Sequence, residues 1–184
     1  MRLADTLSLD ERIRAQQFRS QREKNRFIAR RGFLRLIVGL YLNLDPDSIA
    51  LNAPAGRPVA IQQGCGQGLR ISMSHSVELA LYAPTPNRRI GVDIEHIRPI
   101  TDADQIAEFF FSPREYSVFR RLPRKTKNQA FFECWTRKEA FIEACGTGLQ
   151  HPLDDFDVSF APDRPAKLLK IRGDRREASK WCLS

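Results

Sequence analysis

Residues 69–95 read LRISMSHSVELALYAPTPNRRIGVDIE, and the fold class turns on this stretch. Three short segments, Leu69–Met73, Val77–Tyr82 and Arg89–Glu95, have the apolar content and length of β-strands. Pro84-Thr85-Pro86-Asn87-Arg88 reads as the turn between the last two, because proline and asparagine favour turn backbone. Ser74-His75-Ser76 falls in the connection between the first two. The stretch therefore predicts a small, mostly antiparallel sheet.

Helical patterns flank it. Residues 9–42 predict one long helix, opened by a capping box in which Ser8 is the N-cap and Glu11 lies three residues on. Phe27, Phe33, Leu34, Ile37, Val38, Tyr41 and Leu42 recur near helical spacing, and Asn43-Leu44-Asp45-Pro46 closes the segment. A Pro/Gly-rich run from Asn52 to Pro58 leads to a short strand over Val59–Ile61, and Gly64 to Gly68 reads as a turn. Beyond residue 100, helices are predicted over Asp104–Phe110, Pro113–Leu122 and Thr126–Ala144, the last closed by Gly146. Strands follow over Phe156–Phe160 and Lys167–Ile171. Each half thus runs helix then strands, an α+β layout divided here into residues 1–98 and 99–184.

The 184 residues suffice for one good-sized domain or two small halves. No run of about eighteen apolar residues occurs, so no membrane span is expected. The start MRLADTLSLDERIRAQQF lacks the apolar core of a signal peptide, which predicts a cytoplasmic address. Cys65, Cys134, Cys145 and Cys182 have neither zinc-site nor C-x-x-C spacing and read as structural thiols. The formal charge is +8, and residues 1–35 hold ten Arg and Lys against four acids. Such a surface attracts phosphates, nucleic acid or an acidic protein, without choosing among them.

Asp93 and Glu95 are two apart, so on a strand they share one face. Adjacent carboxylates repel unless a cation or a shared proton relieves them, and hard oxygen ligands suit Mg²⁺. The alternative at this point is a strand end with two solvated acids. The segment FFECWTRKEA (131–140) is an amphipathic helix whose Phe131, Trp135 and Ile142 read as core, with Glu139 at the margin of the apolar stripe. Ser74-His75-Ser76 offers several donors to a phosphate. No G-x-S-x-G elbow accompanies it, and the glycine run at 64–68 lacks the lysine of a phosphate loop.

Together GVDIE (91–95), WTRKEA (135–140) and GTGL (146–149), with RFIARRGFLR (26–35), GRP (56–58) and MSHS (73–76), resemble the 4'-phosphopantetheinyl transferase superfamily, in its Sfp-like branch. The resemblance implies two similar halves related by pseudo-two-fold symmetry in a monomer. It implies transfer of the 4'-phosphopantetheine group of coenzyme A to a serine of an apo acyl or peptidyl carrier protein, releasing adenosine 3',5'-bisphosphate. Asp93, Glu95 and Glu139 would hold Mg²⁺, with Mn²⁺ as a substitute, and Glu139 would be the general base. Arg31, Arg57, Ser74, His75 and Lys138 would contact the phosphates of CoA, with Lys138 also placed among the catalytic residues. Arg26, Arg30 and Arg35 are weaker choices. The carrier would be an acidic protein of fatty acid or secondary metabolite biosynthesis, and neither nucleic acid nor membrane is expected as a partner.

One position departs from the pattern: the family usually has lysine four residues after Glu139, and this chain has Glu143. A CoA- or carrier-binding homologue with impaired catalysis therefore stays open, as does a basic nucleic-acid-binding module built on residues 12–35.

Overall fold

Two helices of 22 residues organise the chain, α2 (Gln21–Leu42) and α5 (Arg124–Cys145). The computed structural model describes residues 2–52, 60–61, 68–147, 151–161 and 164–184. Helices combine with three two-stranded antiparallel sheets among these residues, which is a mixed α+β architecture. None of the described helices is long and apolar enough to cross a membrane.

The predicted helix 9–42 is two helices. α1 (Leu9–Gln16) begins with the expected capping box: Glu11 N–H donates to Ser8 Oγ at 3.3 Å, and Ser8 N–H donates to Glu11 Oε2 at 3.0 Å. The chain then leaves the helix so that Phe18 can pack on Phe27, ring centroids 5.3 Å apart, and Ser20 in extended backbone starts α2. Asn43 ends α2 at φ 54°, a left-handed cap that asparagine tolerates. Leu34 and Val38 of α2 are fully buried, whereas Phe33 and Tyr41, expected in the apolar stripe, are exposed.

β1 (Leu51–Asn52) pairs with β2 (Ala60–Ile61), so the predicted strand at 59–61 is observed in its last two residues. Val59 and the glycine turn at 64–67 lie outside the described residues. β3 (Leu69–Ser76) and β4 (Leu79–Pro86) form a hairpin longer than predicted. Ser74-His75-Ser76 belongs to β3 rather than to a connection. Pro84 and Pro86 close β4, which among the described residues pairs only with β3 and so keeps a free edge there, where proline is tolerated. The turn is Val77-Glu78, with Val77 at φ 54°, unusual for a β-branched residue. Glu78 pairs with Arg22 and Arg26 of α2, which pins the hairpin tip.

The predicted strand Arg89–Glu95 belongs to no sheet among the described residues. It is extended chain whose amides go to side chains of β3, described below.

α3 (Ala103–Phe110), α4 (Pro113–Phe119) and α5 follow as predicted to within three residues. Gly146 ends α5 at φ 71°, where the left-handed backbone favours glycine. β5 (Phe156–Val158) pairs with β6 (Leu168–Ile171), and α6 (Arg175–Ala178) follows. An aromatic core that includes Phe111, Phe119, Phe131, Phe141 and Phe156 joins these elements.

At its floor lies a buried ion pair. Lys138 Nζ stands 2.7 Å from Glu115 Oε2 and donates to the carbonyls of Leu153 (2.6 Å) and Phe156 (2.7 Å). All three ammonium protons are thereby used. Glu115 also accepts from the amides of Ser112 (2.8 Å) and Val158 (2.7 Å). Removing one partner strands a buried charge, so Lys138→Met should cost about 3–5 kcal/mol in urea denaturation. Adding Glu115→Gln, which removes the stranded charge and keeps an acceptor, should recover part of that loss.

Candidate active site

β3 is a seam with two different faces, because alternate residues of a strand point oppositely. Ile71 and Met73 pack on Leu34 and Val38 of α2. Ser72, Ser74 and Ser76 point the other way and bind residues 92–96. Their hydroxyls accept from the amides of Val92 (3.0 Å), Ile94 (3.3 Å) and His96 (3.0 Å). The same hydroxyls donate to carboxylates: Ser72 to Glu143 Oε1 at 3.2 Å, Ser74 to Asp93 Oδ1 at 2.6 Å and Ser76 to Glu95 Oε2 at 3.0 Å.

Gly91 brings this segment onto α5. A Cβ there would lie 1.9 Å from Ala140 O and 2.5 Å from Ala144 N, distances no larger residue can keep. Glu139 and Glu143, one turn apart on α5, face the same seam. Lys138, the preceding residue, falls on the opposite, buried side.

Four carboxylates therefore gather at one place: Asp93, Glu95, Glu139 and Glu143. Among the described residues no Lys, Arg or His pairs with Asp93, Glu139 or Glu143, and Glu95 has Arg98 at 3.6 Å. Burial, then the charges of Asp93, Glu143 and Glu95, push Glu139 up to about 7. Burial also raises Glu143, opposed by the Ser72 bond and reinforced by Asp93. Burial raises Asp93, opposed by the bonds from Ser74 and the Ile94 amide. Asp93 Oδ2 is buried without a hydrogen-bond partner.

An all-oxygen, mutually repelling set with an orphaned buried oxygen fits a hard divalent cation. Among the described residues no three His, Cys, Asp or Glu side chains converge as a ready-made ion cage. Mg²⁺ characteristically takes one or two carboxylates and completes its shell with waters and substrate phosphates.

His75 stands exposed at the end of the α2-facing side of β3, and partial desolvation followed by nearby Arg30 lowers its pKa. Arg30 is half-buried, and Tyr82 donates its hydroxyl to the Arg30 carbonyl at 2.9 Å. Arg30 lines a cavity of about 580 Å³ between α2 and the hairpin, with Arg26, Phe33, Leu79 and Tyr82.

Three expected phosphate contacts are engaged elsewhere. Arg31 pairs with Glu11 of α1 at 2.5 Å, beside Arg35, which binds the same carboxylate at 2.6 Å and caps the carbonyls of Pro46 and Ile49. Lys138 is sealed in the core against Glu115, because its position on α5 points away from the seam. Ser74 gives its one proton to Asp93, so it supports a carboxylate rather than a phosphate. Arg57 lies outside the described residues. Sequence reasoning gives Ser76 a phosphate-donor reading rather than a carboxylate one, includes Gly91 only within GVDIE and misses Ser72, although serine at alternate strand positions is a readable signal. Cys134 is fully buried, with its thiol pushed well up by desolvation, as expected of a structural thiol.

The carboxylate cluster has a stability signature. Between pH 4.5 and about 7 the folded chain holds a proton on Glu139 that the unfolded chain has released, so stability falls as pH rises through that window. In metal-free protein, Glu139→Gln should melt above the parent at pH 8. The difference should close as pH falls toward 4.5, measured by thermal melts in EDTA.

Comparison with known proteins shows the family. A family model described as the 4'-phosphopantetheinyl transferase superfamily matches residues 89–184, which contain Asp93, Glu95 and Glu139. The chain is 41% identical over 167 residues to the 4'-phosphopantetheinyl transferase HetI of Nostoc sp. strain PCC 7120, covering 90% of this chain and 70% of that protein. It is 31% identical to the 4'-phosphopantetheinyl transferase psf-1 of Bacillus pumilus, covering 88% of this chain and 67% of that protein. It is 28% identical to the 4'-phosphopantetheinyl transferase Sfp of Bacillus subtilis strain 168, over 88% and 70%. With one matched region spanning the second half of the chain and relatives matched over nearly its whole length, the chain belongs to the 4'-phosphopantetheinyl transferase superfamily.

Proposed function

We propose that this chain transfers the 4'-phosphopantetheine group of coenzyme A to a serine hydroxyl of an apo acyl or peptidyl carrier protein, releasing adenosine 3',5'-bisphosphate. The reaction is of the holo-[acyl-carrier-protein] synthase type. The observation that carries the reading is that Asp93 and Glu95 lie within electrostatic reach of Glu139, with Asp93 Oδ2 buried and without a hydrogen-bond partner.

Asp93, Glu95 and Glu139 would hold Mg²⁺, or Mn²⁺ in its place. When bound, the ion supplies charge neutralisation at the pyrophosphate and its leaving group. Asp93 and Glu95 each keep one oxygen on a serine hydroxyl and leave the other for the ion. Glu139, directly or through a water, accepts the proton of the carrier's serine as that oxygen attacks phosphorus. Its half-buried position supports this, since burial keeps a carboxylate basic. His75 and Arg30 supply the nucleotide's phosphate contacts, with Arg57 a further basic group in the same role. Arginine suits that task because its planar fork matches phosphate oxygens.

The division into residues 1–98 and 99–184 belongs to the same proposal, as two halves related by a pseudo-two-fold axis in a cytoplasmic monomer. Its support is that each half has a 22-residue helix followed by an antiparallel strand pair, with its own hydrophobic clusters. The positive surplus favours encounter with an acidic carrier of fatty acid or secondary metabolite biosynthesis. A nucleic-acid surface on residues 12–35 has less support, because Arg26, Arg31 and Arg35 are paired to Glu78 and Glu11. The second reading, a binding homologue with impaired catalysis, rests on Glu143, a fourth negative charge held in the cluster.

Incubation with CoA, Mg²⁺ and apo carrier proteins, read by mass spectrometry, decides between the two. The phosphopantetheine mass addition is expected. CoA binding without transfer to any of several carriers would instead favour the impaired homologue. Asp93→Ala and Glu139→Ala should each lower transfer by roughly 10²-fold or more while leaving the circular dichroism spectrum unchanged. Full activity in either would remove that residue from the proposed role.

A further inference from the structure

We propose that Ser72, Ser74 and Ser76 form a positioning clamp that sets both the path of residues 92–96 and the orientation of the site's carboxylates. The proposal rests on the transfer activity above for its functional meaning, but the clamp itself is read from hydrogen bonds.

The three serines repeat every second residue along β3, and so do the three amides they bind. Each serine and its amide are 20 residues apart, so the 92–96 segment runs parallel to β3 with serine hydroxyls in place of a backbone ladder. A backbone carbonyl could accept those amides equally well, but it has no proton to give. A hydroxyl has one donor and two acceptor lone pairs, so it satisfies the amide and grips a carboxylate at once. Each grip holds a single oxygen: Oδ1 of Asp93, Oε2 of Glu95 and Oε1 of Glu143. The second oxygen of each remains available. Among the four carboxylates of the described cluster, Glu139 is the one the clamp leaves alone, which suits a group that must exchange a proton.

Fixed orientation matters because side chains that hold an ion's ligands tune its affinity without touching it. Ser72 and Ser76 are therefore positioning residues, and Ser74 joins them. The clamp also explains why residues 92–96 join none of the sheets among the described residues: the amides of Val92, Ile94 and His96 are used by side chains.

Ser72→Ala and Ser76→Ala, singly and together, with Ser76→Thr as the conservative variant, test the proposal in the full chain. Amide hydrogen exchange by NMR should show faster exchange at Val92 in the first variant and at His96 in the second. Titration with Mn²⁺ alone, followed by electron paramagnetic resonance, should show affinity lowered roughly 10- to 100-fold in the double variant. The Mg²⁺ concentration for half-maximal transfer should rise in parallel, and Ser76→Thr, which keeps the hydroxyl, should return both values toward the parent. Unchanged exchange at Val92 and His96, or unchanged Mn²⁺ affinity in a folded double variant, would overturn the clamp. If the double variant does not fold, the Ser76→Ala and Ser76→Thr pair decides: equal Mn²⁺ affinity in both overturns it. Absence of transfer by the parent protein would overturn the proposed function, while exchange and Mn²⁺ binding would still judge the clamp.

Discussion

A methyl group at residue 91 would lie 1.9 Å from the carbonyl oxygen of Ala140, and everything at the site depends on that methyl being absent. The contact lets an extended segment lie directly on a helix, with no side chain between the two backbones. Asp93 and Glu95 can then come within electrostatic reach of the carboxylates of α5, which side chains between the two backbones would keep further off. Ser72 tightens the same seam from the third side, since its hydroxyl accepts from Val92 and donates to Glu143. Three elements distant in sequence meet through one small residue and one hydroxyl.

The site is electrostatically unfavourable as it stands, and the stabilising pairs lie elsewhere. Glu11 with Arg31 and Arg35 ties α1 to α2, and Glu115 with Lys138 ties α4 to α5 and β5. Both networks are mostly buried and supported by further hydrogen bonds, the condition under which a buried ion pair holds a structure rather than weakens it. The carboxylate cluster has no such partner among the described residues. Burial and mutual repulsion raise Asp93, Glu139 and Glu143 together, which supports the proposed cation site.

What the sequence made legible is what local chemistry decides. Ser8 and Glu11 cap a helix because they are three residues apart, and Gly146 ends one because it tolerates positive φ. The carboxylates of GVDIE and the glutamate of WTRKEA were legible as chemistry, and the fold brings them within electrostatic reach of one another. Local pattern could not tell Lys138 from Glu139. The two are neighbours in sequence, yet about 100° of helix rotation sends one into the aromatic core and the other to the seam. Arg31 was equally ambiguous, because its partner Glu11 is on a different helix whose break at residues 17–20 the periodicity did not reveal. The strand expected at 89–95 failed for a related reason: its alternation was real, but its amides had found hydroxyls first.

Glu143 shows how such a departure can be absorbed. A lysine at that position would add positive charge beside the phosphates, and glutamate adds a negative one beside three others. Among the described residues it is neither turned out to solvent nor paired with a cation. The chain buries the group by half and gives it the proton of Ser72. With a divalent ion in place the four carboxylates would still leave negative charge at the seam, and a pyrophosphate would increase it. In the proposed reaction, attraction for the nucleotide would then come from outside the cluster, across β3, where His75 and Arg30 stand at the edge of the basic helix. The hairpin thus separates two tasks by its two faces, carboxylates on the serine side and cationic groups on the other. In the proposed reaction that division would let a fourth carboxylate sit in the cluster with no cation paired to it among the described residues.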